Sequence, residues 1–155
     1  MADDVKFEII EAHWDEAKEM AQKAIRRGLE AVGLAAVTDV VKEISRPKKH
    51  GNGEVRPNVV TGLLRNSITY AVDGNPAHIS SYKADSGGGS GSYEGTAPEE
   101  GEGMSSVSVG TNVEYAPYVE YGTSRSKAYP FLKNTIQKNL DRYKEIFEHY
   151  GSDQS

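Results

Sequence analysis

Side chains able to do chemistry are present in this 155-residue sequence, but their types and spacing do not assemble a reactive centre. His13, His50, His78 and His149 are scattered, with no His-x-x-x-His pair and no glutamate at metal-binding spacing, so the pattern of a zinc site is missing. There is no cysteine, which removes disulfides, thiolate nucleophiles and cysteine metal ligands together. The glycines at 87–91 lack the preceding strand and following helix of a phosphate loop, and no Gly-Lys-Ser/Thr follows them. No Gly-x-Ser-x-Gly elbow presents a serine, and the adjacent Glu99 and Glu100 lie in a glycine-rich run where little could raise a carboxyl pKa. Glu120 is the one acid set among apolar neighbours. With Arg125 and Lys127 just beyond it, an ion pair within or between subunits is the expected role. Neither catalysis nor a bound cofactor is expected from this inventory.

The densest pattern is aromatic. Tyr115, Tyr118 and Tyr121 recur every third residue, so one short helical turn puts all three rings on one side. Gly122 ends that turn, because glycine takes a positive φ without a Cβ penalty, and Thr123 and Ser124 can hydrogen-bond the freed backbone groups. Pro130 has the fixed φ that suits the first position of a new helix. Tyrosine joins apolar area to a polar tip, which serves a core or a protein contact surface equally well. Residues 115–132 therefore read as a hinge between sheet and final helix, with some rings packing inward while others, with Glu120 and Arg125, face outward.

Those residues need elements to hold them. Val5, Phe7 and Ile9 alternate with Lys6 and Glu8 as in a half-buried strand. From about residue 14 to Ser45 a long helix has the stripe Trp14, Ala17, Ala21, Ile25, Leu29, Val32, Ala36, Val40 and Ile44. Beside it a row of small residues, Met20, Ala24, Gly28, Ala31 and Ala35, would let another element approach closely, and Gly28, Gly33 and Thr38 make a kink plausible. Thr61 can cap a short turn before a strand at Ile68, Tyr70 and Val72. The Asp73-Gly-Asn-Pro76 turn predicts that Ala77 to Lys83 returns as the second strand of a hairpin. Met104 to Thr111 is the last strand, and a single terminal helix from Pro130 to about Tyr150 has the stripe Leu132, Ile136, Leu140, Tyr143, Phe147 and Tyr150. The sum is one α+β domain over residues 1–155. Its small, mostly antiparallel sheet of about four strands packs against a long N-terminal helix and a C-terminal helix.

Charge has a location. Asp85, Glu94, Glu99, Glu100 and Glu102 account for the whole net charge of −5, leaving eighteen acids against eighteen bases elsewhere. Seven glycines share that 85–103 segment, which reads as a flexible or partner-ordered acidic arm. The 46–57 loop carries Arg46, Lys48, Lys49 and Arg56, a partner-contacting loop and, as an alternative function, the surface of a nucleic-acid-binding module. No run of about 18 apolar residues spans a membrane and no signal-peptide order opens the chain, so assembly in the cytoplasm is expected.

In order and interval, several segments resemble the gene-ten-like family of tailed-bacteriophage neck proteins, which complete the tail or join it to the head. They are Thr61-Gly62-Leu63-Leu64-Arg65 with Ser67-Ile68, Val109-Gly110-Thr111, Tyr115-Ala116, Tyr118-Val119-Glu120-Tyr121-Gly122-Thr123-Ser124, and Ala128 with Pro130-Phe131-Leu132. Val60 replaces the acid common before the Thr-Gly pair, and Lys133-Asn-Thr replaces the common Pro-Ala. The resemblance implies a non-enzymatic virion protein, assembled in the host cytoplasm and located in the neck. It implies a homo-oligomeric ring, a hexamer by preference, that contacts connector and tail tube proteins while genomic DNA passes its lumen without sequence-specific binding. Tyr115, Tyr118, Glu120, Tyr121, Arg125 and Lys127 are then candidate subunit contacts. The acidic arm would meet a neighbour's 46–56 loop or the lumen.

Overall fold

A computed structural model describes residues 14–46, 62–73, 75–85, 87, 89–94, 106–125 and 127–151. The expected strand at Val5–Ile9, the Thr61 cap, Lys48, Lys49, Arg56, Glu99, Glu100 and Glu102 lie outside the described residues. The elements in order are α1 (Trp14–Ser45), α2 (Leu63–Ser67), β1 (Thr69–Val72), β2 (Ser81–Lys83), β3 (Ser90–Ser92), β4 (Val107–Gly110), α3 (Ala116–Tyr121), α4 (Phe131–Lys138) and α5 (Leu140–Gly151). The fold is α+β, with two antiparallel pairs of short strands and flanking helices among the described residues.

α1 is one helix of 32 residues, about 48 Å at 1.5 Å per residue. It contains no proline, and Thr38 satisfies its hydroxyl on the Leu34 carbonyl at 2.8 Å, so neither residue type nor hydrogen bonding forces a break. Its glycines are contact points. A Cβ at Gly28 would stand 2.8 Å from the Phe147 ring, and one at Gly33 would overlap the Tyr70 ring. Gly28 thus lets α5 approach, and Gly33 does the same for the sheet. In the N-terminal half Ala24 and Gly28 of the second row are buried, whereas Met20 is 57% and Ile25 38% exposed, which corrects the expected stripe there. In the C-terminal half Ala36, Val40 and Ile44 are buried as expected. Val40 and Ile44 join Leu64, Ile68, Val113, Ala116 and Phe131 in the core.

Strand pairing differs from the hairpin that the turn predicts. β1 pairs with β4, Thr69 opposite Gly110 and Val72 opposite Val107, while β2 pairs with β3, Ser81 opposite Ser92. The turn itself forms, Asn75 N–H donating to the Val72 carbonyl at 2.9 Å. The returning chain gives β1 a bond from His78 N–H to the Tyr70 carbonyl at 2.8 Å, one from Ile79 N–H to the Thr69 hydroxyl at 2.9 Å and a stacked His78 ring at 4.6 Å, without a strand ladder. Pro76 has no N–H to extend a ladder at that point. Part of the segment read as an arm, Ser90–Ser92, is a strand.

The terminal helix is two helices. Asn139, at φ −110 and ψ 11, donates its side-chain amide back to the Thr135 carbonyl at 2.8 Å, and its own carbonyl accepts the first α5 bond, from Tyr143 N–H at 3.0 Å. The break changes the phase of the apolar face. Phe131, Thr135 and Tyr143 are buried, whereas Leu140 and Tyr150 from the expected stripe are 54% and 45% exposed. α4 and α5 pack chiefly on α1, and Phe131 at the start of α4 reaches the same core as Ile68 and Val113.

Candidate functional site

The tyrosine corner begins where β4 hands the chain to α3. Val113 and Ala116 turn inward to the core, and Ala116 N–H donates to the Val113 carbonyl at 3.0 Å. α3 then exposes Tyr115 by 41%, Tyr118 by 62% and Tyr121 by 77%. The expectation that some of these rings pack inward is therefore corrected. The three-residue spacing does gather them on one side, and that side faces solvent, because Ala116, Val119 and Glu120 occupy the inner one.

Glu120 is 8% exposed, and its carboxylate is taken up inside the chain. One oxygen accepts the N–H of Leu132 at 2.9 Å and the other that of Lys133 at 3.0 Å. These are free donors in the first turn of α4, whose preceding residue, Pro130, has no capping side chain. Glu120 supplies the cap from another helix, with its negative charge at the positive end of the α4 dipole. Within the chain, two charge-assisted backbone bonds stand where the sequence predicts an ion pair. Arg125 and Lys127 are exposed, and no ion pair joins them to Glu120 among the described residues.

Gly122 closes α3 at φ 80 and ψ 175, its N–H donating to the Tyr118 carbonyl at 3.0 Å. The positive φ is as predicted, but the ψ is extended rather than left-handed helical, a region still more restricted to glycine. Thr123 Oγ1 accepts the Arg125 N–H at 3.2 Å, and Tyr129 N–H returns to the Val119 carbonyl at 2.8 Å. Pro130 stands one position before the helix rather than in its first turn. The corner is fixed at both ends and on its inner face.

The remaining motif residues are structural ties. Gly62 has φ 79 and takes the N-cap position of α2, and a Cβ there would stand 2.5 Å from an Asp85 carboxylate oxygen. Asp85 is paired with Arg65 and accepts from the Asn66 amide at 2.9 Å, so this acid anchors the β2–β3 turn to α2. Ser67 donates to the Leu64 carbonyl at 2.7 Å and meets the Thr111 hydroxyl at 2.5 Å, which joins α2 to the end of β4. The Tyr93 hydroxyl is buried beside that pair without completing a hydrogen bond, and desolvation raises its pKa. Glu94 is exposed. Arg46 of the basic loop is paired with Glu43 at 2.7 Å.

Sequence reading missed the ties from α1 to the C-terminal helices. Tyr143 donates to Asp39 at 2.7 Å, and Tyr129 donates to the Glu43 carboxylate and, at 3.2 Å, to its backbone carbonyl. Arg142 also pairs with Asp39. The signal was present in two acids one turn apart on a helix face otherwise used for packing.

Among the described residues, no three histidine, aspartate or glutamate side chains are placed to hold a metal, and no helix is long and apolar enough to cross a membrane. The corner that remains is inwardly satisfied and outwardly aromatic, the composition of a protein contact surface. The profile of the family described as "Bacteriophage HK97-gp10, putative tail-component" matches residues 10–122, and the chain belongs to this family of phage tail and neck structural proteins. No curated protein and no solved structure gives a significant match.

Proposed function

We propose that the chain forms a closed homo-oligomeric ring in the phage neck, joining tail to head connector around the DNA channel, and that the tyrosine corner is one of its subunit contacts. The observation that carries this reading is the exposure of Tyr115, Tyr118 and Tyr121 at a turn whose inner side, Ala116, Val119 and Glu120, is tied into its own subunit. Three large rings are held in solvent by a rigid platform, and hydrogen bonding within the subunit does not require them there. Arg125 and Lys127 border the ridge with exposed charge suited to the polar rim of an interface. A ring has heterologous contacts, so the ridge meets a different patch on the next copy, and a sixfold ring is the preferred closure. Family membership supports contact with other head and tail structural proteins.

Light scattering and negative-stain imaging of the full chain, alone and mixed with its tail components, test the reading. Closed rings are expected. Monomers under both conditions would overturn it.

A further inference from the structure

Four strand edges face away from their own pairings among the described residues, and three of them are blunted. Asp73 N–H donates to the Ser106 carbonyl at 3.2 Å, which fixes the alternation of the antiparallel β1–β4 ladder. Residues 70, 72, 107 and 109 therefore point their backbone groups out of the pair. On β1 the outward carbonyls of Tyr70 and Val72 accept from His78 and Asn75. On β2 the outward Lys83 carbonyl accepts the Asn66 amide at 2.9 Å, and on β3 the outward Ser92 carbonyl accepts the Asn112 amide at 2.8 Å. On β4 the outward groups of Val107 and Val109 have no partner among the described residues. The strand Val-Ser-Val-Gly also lacks the lysine, proline or bulge with which edges are usually protected.

We propose that the outer edge of β4 takes an added strand from a second copy of this chain, an inference that rests on the ring reading above. Position argues for a second copy. The edge leads into a groove of about 410 Å³ lined by Gly110, Val113, Ala116, Tyr121 and Leu132, which ends at the tyrosine ridge. Edge, groove and ridge follow one another along residues 107–121, so one body seated on the tyrosines also reaches the edge that is unpaired among the described residues. Backbone bonds at Val107 and Val109 supply affinity and direction, while the rings supply apolar area. An uncharged edge suits this role, since a lysine there would repel or fail to pair with an entering backbone.

Residue-resolved amide exchange on the full chain, dilute and assembled, tests the proposal. The Val107 and Val109 amides should exchange about 100-fold more slowly once assembled. Val107→Pro removes an outward N–H without touching the β1–β4 ladder, a position where an edge strand tolerates proline. The variant should keep its circular dichroism and require about 100-fold more protein to assemble. Ser108→Lys, at an exposed position, gives a second blocked edge should the proline variant fail to fold. Assembled wild-type protein with both amides exchanging at the dilute rate, or blocked variants that assemble like wild type, would overturn strand addition and leave the ring intact. Protection that requires another tail protein would overturn the second copy as donor. A dimer with both amides protected would uphold the added strand and sink the ring, and a persistent monomer removes both.

Discussion

Two groups of tyrosines in this chain meet opposite fates. Tyr129 and Tyr143 come from the loop before α4 and from α5, and both hydroxyls end on carboxylates of α1, Glu43 and Asp39. Tyr115, Tyr118 and Tyr121 come from one helical turn, and their rings stay in solvent. The difference is the acceptor. A buried hydroxyl is costly to leave unpaired, and α1 offers two carboxylates a turn apart, whereas the inner side of α3 is already filled by Ala116, Val119 and Glu120. One group holds the subunit together, and the other is available to neighbours.

Breaking the inward group should cost the most stability. Tyr143 is 5% exposed and packs between α1 and α5, so Tyr143→Ala should lose about 4 kcal/mol in chemical denaturation, since it opens a cavity and removes one of the two partners of Asp39, leaving Arg142. A loss under about 1 kcal/mol would mean that this ring does not anchor the C-terminal helices. Glu120→Ala should cost about 2 kcal/mol by removing the cap of α4, with Glu120→Gln retaining part of it. Equal stability of all three proteins would contradict the capping role.

A smaller effect is read through pH. Burial first, then the hydrogen bond to Asp39 or Glu43, holds the Tyr143 and Tyr129 hydroxyls above the ordinary tyrosine pKa of about 10. In the unfolded chain these groups ionise first. Their contribution to stability is therefore complete below about pH 10 and is lost as pH rises beyond it. Tyr143→Phe and Tyr129→Phe should flatten the fall in denaturation midpoint between about pH 9 and pH 11. The same substitution at the exposed Tyr118 should leave that fall unchanged, and a change there would erase the distinction between the two groups.

How much of this was legible in the sequence depends on the range of the interaction. The length of α1, the stop at Gly122 and the strands at 69–72 and 107–110 are written in local spacing and residue type. The break at Asn139 was written too, in a residue that favours helix starts, but an unbroken apolar stripe concealed it. Strand partners were not legible, because Pro76 leaves the obvious hairpin with too few donors and β1 finds its ladder more than thirty residues away. At the corner, spacing put the three tyrosines on one side correctly. Which way that side faced was decided by Glu120, whose partners Leu132 and Lys133 lie beyond the loop and belong to a different helix.

We propose a division of labour in which the outward tyrosines serve assembly and not folding. It is tested most directly by measuring particle mass and melting temperature together for a Tyr118→Ser/Tyr121→Ser chain beside wild type. The double variant should melt within about 2 °C of wild type, as surface substitutions do, and should remain monomeric at concentrations where wild type forms rings. Wild-type ring formation by a folded double variant, or a large loss of stability, would contradict the account.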